Sequence, residues 1–237
     1  MEVPPTGMND EMYASLRESF PELFVNPPGA GYEILLDPEL RAAAEKFYAG
    51  QLAGYGFPAE LAQTGVVYYD PWVMLLRDAV RGPSGEFGTY IRAVPFGNAE
   101  GVVILPVHDG RVVLVRHFRH ATRDWQWELP RGFGLPGSEP ADDARRELLE
   151  EIGAEATALH ELGAIYPDTG LTSGVTRLFL AEIAGEPRPA TAEGITEVRH
   201  VSPAELGELI RDETIKDSFT INAYARAVLR GHLEAKA

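Results

Sequence analysis

Hydrophobic positions along this chain recur in two periods, and each change of period marks out an element. From Asp37 to about Gly54, Leu40, Ala43, Ala44, Phe47 and Tyr48 return at helical spacing, with Asp37 placed to cap and Pro38 in the first turn. This predicts an amphipathic helix that packs on its own domain or on a partner. Val66–Val80 is apolar and β-branched, and Gly88–Val94 follows the turn RGPSGE, which predicts a hairpin over residues 66–95. Strands Gly101–Val107 and Arg111–Phe118 flank the turn His108-Asp109-Gly110. Further strands are expected over Ala156–Tyr166, Thr176–Ile183 and Ile195–Val201, and the connection 167–174 is polar and placed to cover part of a site. Helices follow at Pro203–Asp212, with Ser202 as cap, and at Ser218–Arg230. Residues 1–35 are rich in Pro and Gly around the patch Phe20-Pro21-Glu22-Leu23-Phe24 and read as an irregular, partly ordered arm.

The stretch from Gly132 to Ala154 breaks the alternation. A Gly/Pro-rich loop enters a helix carrying Glu147, Glu150 and Glu151, which share one face at about 100° per residue. Leu148, Ile152 and Ala141 lie on a separate face that can be buried. Like charges at this spacing cost roughly 0.2–0.5 kcal/mol per pair, and the C-terminal end of a helix disfavours anions. A hard divalent cation with oxygen ligands would offset that cost. The other reading of the same residues is a solvated face neutralised by Arg145 and Arg146.

The order of residues resembles the Nudix box, G-x5-E-x7-R-E-U-x-E-E-x-G-U, with U a bulky aliphatic residue. Gly132, Arg146, Glu147, Leu148, Glu150, Glu151 and Gly153 fall in register. Ser138 stands at the first Glu position, with Glu139 one residue late, and Ala154 is a small final U. The resemblance implies an α/β/α sandwich with a mixed sheet, to which an N-terminal helical arm and antiparallel strands are added. It implies Mg²⁺, with Mn²⁺ as an alternative, held by Glu147, Glu150 and Glu151. It also implies hydrolysis of a nucleoside diphosphate linked to a moiety X, with ADP-ribose or a related sugar nucleotide as substrate. Ser138, or Glu139 in its place, is expected to cap the helix and so to brace the loop.

The run VRHFRHATRDWQWELPRG adds to the likeness with the ADP-ribose and sugar-nucleotide branch. Arg116 and Arg119 offer guanidinium forks for diphosphate oxygens, or are solvated arginines at a strand end. Trp125 is either a stacking platform for a base or a core anchor. Glu128 is a box-proximal ligand or the partner of an arginine, and Arg131 joins this candidate substrate-binding set. Glu193, two positions before the strand that starts at Ile195, is the candidate catalytic base or additional ligand by resemblance. The branch also implies a homodimer built through the strands of 66–95.

Composition narrows the picture further. The chain has 237 residues, and 21 basic against 36 acidic residues give a net charge of −15, which opposes general binding to nucleic acid. Cysteine is absent, which excludes thiolate metal sites and cysteine nucleophiles. The six histidines show no H-E-x-x-H spacing. No signal peptide or membrane span is expected, and a cytoplasmic enzyme acting on a small-molecule nucleotide fits. The domain division expected is an arm and helix over residues 1–60, then a catalytic domain over 61–237. Two other classes stay open, a module of the same fold that senses a nucleotide without cleaving it, and an interaction protein acting through its arm.

Overall fold

The computed structural model describes residues 6–95 and 99–234. It divides into two compact units, one of residues 1–98 with 168–173, the other of residues 99–167 with 174–237.

The first unit contains α1 (Thr6–Ser19), β1 (Glu33–Ile34), α2 (Pro38–Gly54), β2 (Gly65–Tyr69), β3 (Val73–Arg81) and β4 (Phe87–Pro95). β3 is its spine, pairing antiparallel with β1 and β2 along one edge and with β4 along the other. The helix expected from Asp37 is present, and the Asp37 carboxylate accepts from the backbone N–H of Glu39 at 2.9 Å and of Leu40 at 3.1 Å. The arm is more ordered than its composition suggests. Residues 1–5 lie outside the described part, but α1 is a full helix, with a 3₁₀ turn at Pro21–Phe24 after it. Its weak local signal is overridden by packing, because Tyr13 and Leu16 are buried against Phe24, Val66, Met74, Leu76 and Val94. The run Val66–Val80 is two strands rather than one. Asp70 accepts from the N–H of Trp72 and of Val73 at 2.8 and 2.9 Å, and this turn, with Pro71 in it, separates β2 from β3.

The connection 167–174 is divided between the units. Its residues Asp168–Ser173 belong to the first unit, where the Ala93 N–H donates to the Leu171 carbonyl at 2.7 Å and the Ser173 N–H to the Ala93 carbonyl at 3.1 Å. The hairpin strands therefore group with residues 6–64 in this unit.

The second unit contains β5 (Gly101–His108), β6 (Arg111–Arg119), β7 (Asp124–Glu128), β8 (Arg131–Phe133), α3 (Pro140–Ile152), β9 (Glu155–Ile165), β10 (Thr176–Ala184), β11 (Ile195–Val201), α4 (Pro203–Arg211) and α5 (Ser218–Leu229). Its seven-stranded sheet runs β11-β6-β5-β10-β9, with β7 added to β6 and β8 to β5. The β5–β10 pair is parallel and the others are antiparallel, so the sheet is mixed. Period-two alternation builds two cores. Val102, Ile104, Val113 and Val115 pack with Ala144, Leu148 and Ile152 of α3. Val103, Leu105, Val112 and Leu114 pack instead with Leu206 of α4 and with Ala223 and Ala227 of α5. Helices thus lie on both faces of the sheet, the expected α/β/α sandwich. Among the described residues, no helix is long and apolar enough to cross a membrane.

Candidate active site

The Gly132–Ala154 stretch becomes β8, a loop and α3, and two contacts fix it in place. β8 pairs with the start of β5, Gly132 opposite Val102 and Arg131 opposite Val103. At the far end Gly153 takes a left-handed φ of 63°, and its N–H donates to the Leu149 carbonyl at 3.1 Å, which terminates α3.

The bracing expected of Ser138 is done by another residue. Glu139 holds the N-cap position without a side-chain cap bond, and the half-buried Ser138 hydroxyl reaches only the Glu139 carbonyl at 3.5 Å. Asp143, one turn into α3 and 2% exposed, accepts from the Leu135 N–H at 3.3 Å and from Arg146 at 3.0 Å. Arg146 also donates to the Phe133 carbonyl at 2.9 Å. Loop and helix are therefore joined through Asp143 and Arg146. The available sequence signal was a carboxylate in the first helical turn, three residues before an arginine.

The three glutamates share a face but not an environment. Glu147 and Glu151 are buried, at 8% and 7% exposure, whereas the Glu150 side chain is 49% exposed. The Glu147 carboxylate sits against Gly132, in space that any side chain there would claim. Arg146 pairs with Glu147 at 2.7 Å and with Glu150 at 2.8 Å. Burial opposes the Arg146 charge, yet the bonds to Asp143, Glu147 and Glu150 hold its pKa above the usual guanidinium range. The neutralising arginine of the alternative reading is thus present, but it answers three carboxylates with one charge. Burial raises the Glu147 carboxyl as well, partly offset by Arg146. Glu151 accepts the Arg131 backbone N–H at 3.2 Å, and burial pushes its carboxyl up to about 8. Among the described residues no three His, Asp or Glu side chains converge as a ready-made metal cage.

The substrate-binding candidates separate into an inner and an outer group. Glu128 is fully buried, held by Arg119 at 2.5 Å and Arg131 at 3.0 Å, with His117 Nδ1 at 3.5 Å. Burial raises the Glu128 carboxyl against the pull of these arginines. Burial, with Arg119 and Arg131 nearby, lowers the pKa of His117. Arg131 bonds Asp217 at 2.7 Å as well and lies over the Phe219 ring at 4.7 Å. Of the two sequence readings of Glu128, the arginine partner is the one observed, and Arg119 and Arg131 spend their charge inward. Asp217 was missed as a member of this network. It doubles as the N-cap of α5, accepting from the Thr220 N–H at 2.9 Å.

Arg116 and Trp125 form the outer group. Arg116 pairs with Glu197 and lies 5.1 Å over the Trp125 ring, which is 43% exposed. Glu193 ends the 3₁₀ turn Thr191–Glu193 and is exposed. Its loop is tied to the end of α3, because the Ala190 N–H donates to the Glu151 carbonyl at 3.0 Å and the Arg188 N–H to the Ile152 carbonyl at 2.9 Å.

A sandwich with buried glutamates on a helix that follows a short glycine strand defines a recognisable class. The NUDIX domain profile matches residues 97–222. The chain belongs to this family. It is 30% identical over 139 residues to the ADP-ribose pyrophosphatase of Bacillus subtilis (strain 168), covering 57% of this chain and 75% of that protein. It is also 30% identical over 177 residues to the ADP-ribose pyrophosphatase of Mycobacterium tuberculosis (strain ATCC 25618 / H37Rv), covering 74% of each. A solved structure described as an ADP compounds hydrolase matches the fold with a TM-score of 0.62 at 22% identity, over 72% of this chain and 93% of that one.

Proposed function

We propose that this protein hydrolyses the diphosphate bond of a nucleoside diphosphate joined to a moiety X, most favourably ADP-ribose or a related sugar nucleotide. The products are a nucleoside monophosphate and a sugar phosphate. The observation that carries the reading is the pair of buried carboxylates, Glu147 and Glu151, set one turn apart on α3. Similarity to the two ADP-ribose pyrophosphatases supports the substrate class.

The donor set fits a hard divalent cation. Glu151 is buried, has no ion-pair partner among the described residues, and keeps its proton to about pH 8, so a dication beside it would favour the carboxylate form. Glu147, Glu150 and Glu151 would hold Mg²⁺, with Mn²⁺ able to use the same oxygens. Held there, such an ion would supply neutralisation of diphosphate charge and activation of a water for attack at phosphorus. The chain's own residues do the positioning. Gly132 leaves room for the Glu147 carboxylate, and the Arg131 N–H orients Glu151. Arg119 and Arg131 are held in fixed positions by Glu128. Arg116 over Trp125 is the candidate surface for a base or outer phosphate. Glu193 is the candidate base or further ligand.

The reading includes a homodimer through the first unit. The nucleotide-sensing alternative drew on Ser138 at the first box Glu, and Asp143 supplies the bracing that Ser138 lacks. The test is a panel of nucleoside diphosphate–X compounds with Mg²⁺, products resolved by chromatography. Cleavage to monophosphate is expected, and binding without cleavage across the panel would favour the sensing module.

A further inference from the structure

His108 and His200 lie at the end of the second unit's sheet remote from the candidate active site. His108 is the last residue of β5, whereas Val102 and Val103 of the same strand pair with Gly132 and Arg131. At about 3.3 Å per residue, five to six residues separate the two ends by roughly 17–20 Å. His200 is next to last in β11, and β6 lies between the two strands, with Arg111 opposite His108 and Val113 opposite His200. His108 alternates in step with Val102 and Ile104, and His200 with Val198, so both rings emerge on the α3 face of the sheet. There His108 Nδ1 and His200 Nε2 face each other at 3.3 Å, with ring centroids 5.5 Å apart.

We propose that His108 and His200 form a binding site for a late first-row divalent cation, Zn²⁺, Ni²⁺ or Cu²⁺. With metal–nitrogen bonds of about 2.0–2.1 Å, the edge of a tetrahedron is roughly 3.3–3.4 Å long, so two imidazole ligands would stand at about this spacing. Metal-free, the two nitrogens share a hydrogen bond, one ring donating and the other accepting. Binding requires that the donor ring carry its proton on its other nitrogen and that both rings tilt until their lone pairs meet at one point, with no net proton change. Both rings are half-buried and anchored to rigid strands, which holds the spacing without a loop rearrangement. No third histidine or carboxylate joins the pair among the described residues, so water completes the coordination shell. The ligand type sets the choice of metal. Neutral imidazoles suit Zn²⁺, Ni²⁺ and Cu²⁺, whereas Mg²⁺ prefers oxygen. The Arg111 guanidinium, bonded to the His200 carbonyl at 2.9 Å, disfavours any cation and keeps the site weaker than a three-ligand cage.

Calorimetric titration of zinc into the full chain, with excess Mg²⁺ occupying carboxylate sites, tests the proposal. The wild type is expected to bind one Zn²⁺. Affinity should fall roughly tenfold or more in His108→Gln and in His200→Gln. Paramagnetic resonance of the wild type with one equivalent of Cu²⁺ gives a readout that needs no variant, and splitting from two imidazole nitrogens is expected. Equal zinc affinity in wild type and both histidine variants, absence of zinc binding, or copper coupled to fewer than two nitrogens would overturn the site.

Discussion

The carboxylate of Glu147 occupies the space that a Cβ on Gly132 would fill. β8 is held by its pairing with β5, so the strand cannot yield easily and the glutamate must. Gly132→Ala is therefore expected to displace Glu147. Displacement of a catalytic group by about 1 Å can cost on the order of 10²-fold in rate. Turnover measured beside thermal denaturation checks this, and an unchanged rate would mean that Glu147 is not placed by Gly132.

Asp143, rather than Ser138, should carry the stability of the box loop. Removing a buried acceptor leaves the Leu135 N–H without its bond and weakens the hold on Arg146, at a cost of about 1–3 kcal/mol. Asp143→Ala is predicted to lose that much. Ser138→Glu, at a half-buried position whose side chain makes only the long bond to the Glu139 carbonyl, should stay within about 0.5 kcal/mol. Denaturant melts of both variants decide the ranking, and the reverse order would restore the bracing role to residue 138.

Alternation in β5 and β6, the Asp37 and Ser202 caps and the register of the glutamates were legible because each depends on neighbours in sequence. α1 was not, because its stability comes from Tyr13 reaching Asp78 at 2.5 Å, across 65 positions. The inward turn of Arg119 and Arg131 was equally hidden. No spacing rule reveals that Glu128 is buried, or that Asp217 comes from a distant helix to share Arg131. Trp125 kept its exposed face, which the sequence left open.

Burial of Glu151 makes metal-free stability depend on pH. Its folded pKa of about 8 lies above the ordinary 4.5, so between these values the folded state holds a proton that the unfolded chain has lost. Stability is therefore fully present below about 4.5 and declines as pH rises toward about 8, by on the order of a few kcal/mol. Glu151→Gln should flatten that decline. Metal needs the carboxylate form, so the rise in Tm on adding Mg²⁺ should grow between pH 6 and pH 8. Melting curves across this range, with and without Mg²⁺, provide the check. A wild-type slope equal to that of the variant would contradict the assignment.

Assembly is tested by light scattering. Tyr68, Tyr69 and Trp72 at the β2–β3 turn are 45%, 47% and 64% exposed, although α2 packs on these strands through Ala44 and Ala79. A second chain is the proposed cover for this surface. The expected mass is twice 25.9 kDa, and a mass near 25.9 kDa at micromolar concentration would remove the dimer from the account.

The central claim is that the buried carboxylates of α3 make this chain a metal-dependent diphosphate hydrolase. The most direct measurement is the rate of nucleoside monophosphate release from ADP-ribose at saturating Mg²⁺, for wild type and for Glu151→Gln. Glutamine keeps the size of the side chain and the bond from the Arg131 N–H, but it cannot carry the charge. The predicted result is steady release by the wild type, stopped by chelation of the metal, and a loss of at least about 10²-fold in the variant, the scale on which removal of an electrostatic stabiliser acts. A variant that turns over at the wild-type rate, with its fold intact, would contradict the account.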